Sequence, residues 1–411
     1  MKVNGIIAEY NPFHNGHKYH LEEAKKNTDA DYTIIIMSGN FTQRGAPALI
    51  DKYTRAEMAL QNGADLVIEL PMYYASSSAE YFATGAVSLL DKLGVVTNLC
   101  FGSECGNLEI LQKLSTILLE EPEEYVSRLR RNLKQGMSYP SARNAALIQY
   151  DPSLSNYKDV LSTPNNILGI EYLKALQRRN SQIAPYTTMR VGAAYHERRL
   201  GPKQGSALAI RQAVFAREDT DFLAEHMPED ACTLLTDCIK QSQILSTNNF
   251  SAILHYKLLA EMEQGFAQYL DVSPDLSDRI VKNIYQFDSF QGFCDLLKSK
   301  DMTYSRISRC LLHILLGMKK DTMKQYQEGD YVDYARVLGF RKDATPLLSA
   351  IKQNSSIPLV TKLADAEEIL SEAAYAMLKN DIYMNSIYES TKAQKTRQPM
   401  LNEYRVPIVI V

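Results

Sequence analysis

Two histidines bracket a glycine in the segment GIIAEYNPFHNGHKYHL, residues 5 to 21: His14, Gly16 and His17, with His20 close behind. Neutral imidazoles are costly to bury unpaired and rarely cluster at the end of a strand by accident. At the entry turn of a helix they stand where unsatisfied backbone N–H groups and the positive end of the helix dipole already draw anions. Gly16 removes a side chain where backbone and ligand must approach closely. This is a turn built to meet a phosphate.

Such a turn needs a strand that ends just before it and a helix that begins just after it. KVNGIIA supplies an apolar run ending near Ala8, Pro12 blocks an early helix, and NGHKYHLEEAKKN reads as a helix from about Asn15. The pattern then repeats. YTIIIM, ADLVIEL and VVTNLCFG read as strands, with DKYTRAEMALQNG and SAEYFATGAVSLLDKLG as helices between them. Alternating units of this kind predict an α/β fold with a parallel sheet covered on both faces, and such sheets bind ligands beyond the carboxyl ends of their strands. Helical segments follow, broken near Pro122, Pro140, Pro152 and Pro164, then a short extended piece, APYTTMRVG, and a further helix in GSALAIRQAVFA. From about Asp219 the periodicity is overwhelmingly helical. The expected division is therefore a catalytic α/β domain over residues 1–218 and a mostly helical domain over residues 219–411. The end, YRVPIVIV, reads as a strand that must pair with something.

The bulk numbers exclude several classes. With 411 residues, 45% hydrophobic and 23% charged, the chain suits two or three packed domains, not disorder or a fibrous repeat. No apolar run approaches the roughly 18 residues of a membrane span, and no export signal opens the chain, so a soluble cytoplasmic protein without a membrane partner is expected. Six scattered cysteines contain no CxxC pair, which argues against a zinc ribbon or a disulfide framework; no metal-ligand set is read in the chain. A net charge of -3 gives no global case for nucleic acid, so any such contact must come from local patches.

HNGH resembles the HxGH signature of the nucleotidyltransferase superfamily, and GSALAIR, with Ser206 and Arg211, resembles its second signature, a turn leading into a helix whose arginine reaches the distal phosphates. The blocks EYNPFHNGH, MSGNFTQRG, DKYTRAEMALQNGADLVIELP, CFGSE, PNNILGIEYL and TYSRI together resemble the bacterial tRNA(Met) cytidine acetate ligase family over most of the chain. That resemblance implies a nucleotidyltransferase-like first domain and an enzyme that uses ATP, with Mg2+, to activate acetate as acetyl-adenylate. The acetyl group then passes to the exocyclic amine of the wobble cytidine in elongator tRNA(Met), giving N4-acetylcytidine. Acetate is already an anion, so its attack on the α-phosphate needs alignment and charge stabilisation, not a general base.

By the same resemblance His14 and His17 are catalytic, facing the α and β phosphates. The nucleotide is wrapped by Ile7, Ala8, Glu9, Tyr10, Asn11, Pro12, Phe13, His14, Asn15, Gly16, His17, Lys18, Tyr19 and His20, although His20 could equally only pack. Gly102 in FGSE, one of Asn165 and Asn166, Arg190, Val191, Ser206 and Arg211 complete the ATP set. Plain alternatives stand beside several of these: a tight turn at Gly102, helix caps at Asn165 and Asn166, a solvated charge at Arg190. The loop MSGNFTQRGAPALIDKYTR is the expected acetate pocket, through Gly39, Asn40, Gln43 and Arg44, with Arg55 on the following helix and Lys52 and Glu104 ambiguous.

For RNA, Lys298, Lys300, Arg306, Arg309, Lys319 and Lys320 form the leading basic patch, with Arg306 and Arg309 on one helical face. Arg128, Arg130, Arg131 and Lys134 form a second and Lys392, Lys395 and Arg397 a third, all equally readable as solvated faces. Two other functions compete with the ligase: a small-molecule adenylyltransferase acting on a cofactor precursor, and a noncatalytic RNA-binding protein on an inherited nucleotide fold.

Overall fold

A computed structural model describes residues 1–157, 159–190, 206–216, 221–300 and 302–411. Ten strands lie in it: β1 (Val3–Ala8), β2 (Tyr32–Ser38), β3 (Phe41–Thr42), β4 (Ala46–Pro47), β5 (Leu66–Leu70), β6 (Asn98–Ser103), β7 (Ala184–Met189), β8 (Ala335–Phe340), β9 (Leu359–Val360) and β10 (Val409–Ile410). Five form a parallel core in the order β5-β2-β1-β6-β7. The chain runs outward from β1 through β2 to β5, then crosses back to place β6 on the other side of β1. The crevice of the sheet therefore opens beyond the ends of β1 and β6.

Burial on both faces explains why these strands read as continuous apolar runs. Ile34, Ile36, Leu66 and Ile68 point into one core with Phe82 and Leu90 of the Ala79–Lys92 helix. Ile35, Met37 and Val67 point the other way, against Leu21, Leu60, Leu223 and Leu235. Helices on each face thus fix the height at which the strands end, and with it the crevice floor.

The sheet does not stop at residue 218. β8 runs antiparallel to β5, pairing Leu66 with Phe340, and is itself flanked by β9 and β10. Residues beyond 219 thus contribute three strands as well as helices, and the expected terminal strand finds its partner in β8. ARVLGF carries little local signal because its place is set by β5, some 270 positions upstream in the chain, a pairing that no window of sequence contains. Below β5 lies a buried charge cluster: Lys52 holds Glu69 at 2.8 Å and also Glu403, while Arg336 reaches Glu69 at 3.0 Å and Glu403 at 2.9 Å. Burial and Arg336 pull the Lys52 ammonium down, but Glu403 and Glu69 outweigh them and hold its pKa above the ordinary lysine value. Buried ions survive only when paired this completely. The cluster ties the segment before β10 to the catalytic sheet. Among the described residues no helix is long and apolar enough to cross a membrane.

Candidate active site

The chain leaves β1 at Ala8, turns through the cis Asn11–Pro12 bond and enters the helix Asn15–Thr28. His14 is the N-cap of that helix, with extended backbone, and its Nδ1 accepts the Gly16 amide at 3.0 Å. His17 closes the reciprocal half, its Nδ1 accepting the His14 amide at 3.2 Å. Two orphan donors of the first turn are thus satisfied by imidazoles in place of the usual hydroxyl and carboxylate. The rings stack 3.7 Å apart, 27° from parallel. A Cβ on residue 16 would lie 2.9 Å from His14 Cε1, so only glycine lets the His14 ring lean back onto its own helix.

A lone pair that accepts an amide proton cannot carry its own. Both Nδ1 atoms are therefore bare, and in the neutral rings the proton sits on Nε2, the far side from the helix. The rings stay neutral. Burial, then Arg190, Arg211 and His226, lower the His14 pKa to about 3; burial, His14, Arg190 and His20 lower that of His17 well below the ordinary histidine value. The turn thus presents two parallel uncharged N–H donors over a helix N-terminus, an arrangement suited to phosphate oxygens.

The structure divides the fourteen residues of the expected wrap. Tyr10 and Phe13 are core residues, 2% and 0% exposed, packed against the imidazoles with ring centroids 4.8 and 5.6 Å from His17, Tyr10 edge-on and Phe13 tilted. They support the donors. Asn11 is spent internally, its Oδ1 accepting the Leu49 amide at 2.8 Å, and Pro12 is buried. Asn15 donates to the Glu225 carbonyl, 3.1 Å away. Lys18 and Tyr19 are exposed along the helix. Ile7, Ala8, Glu9, Gly16 and His17 keep partly open surfaces at the crevice. His20 packs behind them, its Nε2 buried with no partner among the described residues and its pKa lowered to about 4 by burial and by Arg190.

The second signature arrives from across the chain. Ser206 accepts the Ala209 amide at 3.2 Å at the start of the helix Ala207–Ala216, and Arg211 on that helix donates to the Asn11 carbonyl. Arg211 lies close enough to lower His14; burial brings its own pKa to about 10, with Glu9 opposing and Arg44 adding to the fall. Arg190, just past β7, anchors its amide on the Ser103 carbonyl at 2.9 Å and lays its side chain over Gly102, where a Cβ would stand 3.2 Å from Arg190 Cγ. Val191 lies outside the described residues.

Asn165 and Asn166 separate cleanly. Asn166 is 2% exposed and spends its carboxamide on the loop after β6, accepting the amides of Glu104 at 2.9 Å and Cys105 at 3.1 Å and donating to Thr163. Asn165 is more open and points its Oδ1 toward Arg190, 3.5 Å away. Glu104 is structural: its two oxygens accept the amides of Asn165 and Asn166 and so cap the helix Pro164–Arg178.

In the expected acetate loop, Gly39 and Asn40 are buried framework. Glu69 lies against the Gly39 Cα, and Asn40 is 1% exposed with its Oδ1 on the Lys52 amide at 2.8 Å. Arg55 is fully buried and donates to the carbonyls of Glu9, Ser38, Gly39 and Ile50, clamping the loop after β1 to the loop after β2. Gln43 and Arg44 reach the site: the Gln43 amide donates to Glu9 Oε1 at 2.9 Å, and Arg44 adds to the field at Arg211. His226, which the sequence did not single out, lies close enough to His14 to lower its pKa; it stands alone in its segment, and only the fold brings it there.

Of the leading basic patch, Lys298, Lys300, Arg306 and Lys320 are exposed. Arg309, Lys319 and Lys320 are engaged by the fold. Arg309 reaches toward Asp271 at 3.8 Å, Lys319 sits 3.6 Å over the Tyr269 ring, and Lys320 donates to the Ala267 and Val272 carbonyls. The backbone of Arg309 abuts Gly45, two residues beyond Gln43. Elsewhere Arg128 pairs with Glu124, and Lys392 with Asp51 and Glu389.

Comparison with known proteins shows which family the chain resembles along its length. A family model described as HIGH nucleotidyl transferase matches residues 1–403. A tRNA(Met) cytidine acetate ligase of Clostridium perfringens is 39% identical over 403 residues, with 94% of this chain and 98% of the relative covered. One from Thermoanaerobacter sp. is 42% identical over 389 residues, covering 94% and 95%. Thermotoga maritima TmcAL bound with α-thio ATP superposes with a TM-score of 0.90 at 32% identity, covering 100% of this chain and 99% of that one; its apo form gives 0.93 at 33%, covering 100% of both.

Proposed function

The chain belongs to the HIGH nucleotidyltransferase family and, within it, to the tRNA(Met) cytidine acetate ligases, and from that premise we propose that it joins acetate to the wobble cytidine of elongator tRNA(Met) through an acetyl-adenylate. ATP enters the crevice beyond β1 and β6, its phosphates over the Asn15–Thr28 helix. The Nε2–H groups of His14 and His17 hold the α and β phosphates, Arg211 the distal charge, and Asn165 with Arg190 the nucleoside side near Gly102. A carboxylate oxygen of acetate, taken near Gln43 and Arg44, attacks the α-phosphorus, and pyrophosphate leaves with the P–O bonding electrons. The cytidine amine then attacks the acetyl carbon and AMP leaves. The mostly helical residues beyond 219 carry the RNA, with Lys298, Lys300 and Arg306 its exposed cations.

Among the described residues no three His, Cys, Asp or Glu side chains converge as a metal site. A Mg2+ accompanying ATP fits only as an ion held by phosphate oxygens and water, where it would offset phosphate charge. The chain's own share is the donor set.

The observation that carries this reading is the pair of stacked, neutral imidazoles pinned through Nδ1 at a helix N-terminus. Purified protein given ATP, acetate and unmodified elongator tRNA(Met) is expected to yield N4-acetylcytidine, AMP and pyrophosphate in equal amounts. Absence of the acetylated nucleoside, or its formation without acetate, overturns it.

A further inference from the structure

The second chemical step requires a proton acceptor, and the donor set described above contains none. The Nδ1 lone pairs of His14 and His17 are occupied by amides. His20 stays uncharged down to about pH 4 because it is buried beside Arg190. Both oxygens of Glu104 accept backbone N–H groups of the Pro164–Arg178 helix. Glu9 is different. It stands one residue past the end of β1, at the centre of the crevice, and is held from both sides. Its carbonyl takes the Arg55 guanidinium at 2.6 Å, and its Oε1 takes the Gln43 amide at 2.9 Å, so the carboxylate is oriented by the loop in which acetate is expected. Its Oε2 makes no hydrogen bond to any other described residue, and the residue is only partly buried. Its charge is felt by Arg211 on one side and by Tyr172, beside β6, on the other.

A carboxylate is ill suited to hold phosphate oxygens, since like charges repel at this range. We propose that Glu9 is the base of the acetyl-transfer step, an inference that rests on the ligase reading. The N4 lone pair of the cytidine forms the C–N bond to the acetyl carbon. The bond between that carbon and the AMP phosphate oxygen breaks, and AMP leaves with its electron pair. One N4 proton passes to Glu9 Oε2, so the products are the acetylated amine, AMP and a protonated carboxyl. Cytidine N4 is a weak nucleophile whose attack stalls unless that proton is removed, and a positioned base contributes roughly a hundredfold or more. The first step has no proton to transfer, so Glu9 acts in one half-reaction and not the other.

The test compares the half-reactions in the full chain. Acetate-dependent exchange of labelled pyrophosphate into ATP reads adenylate formation; single-turnover N4-acetylcytidine formation reads transfer. In Glu9→Gln, whose amide oxygen can still accept the Gln43 N–H, the ratio of transfer rate to exchange rate is expected to fall by about a hundredfold. Glu9→Asp, which keeps a carboxylate, is expected to recover part of that ratio. An unchanged ratio in Glu9→Gln, whether both rates survive or both collapse together as for a metal or ATP contact, overturns the assignment. Failure of the parent protein in either assay would instead count against the ligase reading.

Discussion

The main-chain amide of His14 donates to Nδ1 of His17 at 3.2 Å while the two rings lie 3.7 Å apart, so each histidine fixes the other's position and its tautomer. A capping interaction thereby sets the chemistry of the site. Serine or glutamate could close the same helix turn, but neither would leave a neutral ring N–H aimed outward.

Nitrogen-15 spectra of histidine-labelled protein at pH 6 should therefore show His14 and His17 as neutral Nε2–H tautomers, whereas free histidine is substantially protonated there. The consequence for stability has a definite sign. Folded-state pKa values lie below the unfolded value near 6.5, with His14 at about 3 and His20 at about 4, so the folded chain binds fewer protons than the unfolded one between those limits. The histidine contribution to stability is full above pH 6.5 and is lost as pH falls toward 3. Denaturant midpoints measured from pH 7.5 to 4.5 should decline, and the slope should flatten in His14→Asn. An imidazolium spectrum at pH 6 would refute the donor assignment.

Capping and catalysis can be separated at the same position. Asparagine is a good N-cap, so His14→Asn should keep stability at pH 7.5 within about 0.5 kcal/mol while turnover falls roughly a hundredfold for the lost Nε2–H donor. His14→Ala loses both, with an added destabilisation of about 1 kcal/mol. Equal turnover in the two variants together with unequal melting temperatures is the expected pattern. Near-parental turnover in His14→Asn would remove the ring from the mechanism.

These features were legible to different depths. The turn announced itself because strand end, Pro12, glycine and histidines are consecutive, and a local helix-capping geometry is written in consecutive residues. The parallel strands were legible for the same reason. What escaped were relations across the chain: β8 beside β5, His226 beside His14, and Arg55 gathering four carbonyls. Equivalent residue types also parted by burial. Asn165 faces the site and Asn166 holds a loop, while Arg306 is exposed and Arg309 leans on Asp271, distinctions set by packing that residue identity alone does not encode.

Arg306 and Arg309 should accordingly fail differently. Arg306→Ala removes an exposed cation, so tRNA affinity should weaken modestly and the slope of log affinity against log salt should drop by about one, with melting unchanged. Arg309→Ala removes a half-buried side chain that leans on Asp271, and should lower the melting temperature. Filter-binding titrations at several salt concentrations, paired with thermal melts, decide this. Identical salt slopes in parent and Arg306→Ala would place the RNA elsewhere.

Lys52→Met tests the buried charge cluster. Without the ammonium, Glu69 and Glu403 keep Arg336 as their one cationic partner among the described residues, and breaking a buried ion pair from one side costs about 3–5 kcal/mol. The structure places that loss at the junction of the segment before β10 with the sheet, so protease sensitivity should rise first near Glu403. Stability within 1 kcal/mol of the parent by urea titration would show that the cluster contributes no net stability.

Asp381 should respond in the opposite direction. It is 3% exposed, with Oδ1 accepting the Met72 amide at 2.9 Å and Oδ2 bound to the Tyr334 hydroxyl, and burial together with the Glu69 charge raises its pKa to about 7. A carboxyl whose folded pKa exceeds its unfolded value near 3.9 stabilises the fold while it holds its proton, and that contribution is lost as pH rises through 7. Asp381→Asn can keep both contacts, the amide oxygen accepting from Met72 and the amide nitrogen donating to Tyr334, without any group left to ionise. The variant's advantage over the parent should therefore grow by on the order of 2 kcal/mol between pH 5.5 and pH 7 and stay constant above that, read as a divergence of urea midpoints with rising pH. If the two curves run parallel from pH 5.5 to 8.5, Asp381 is already ionised in the folded protein and the buried cluster neutralises it.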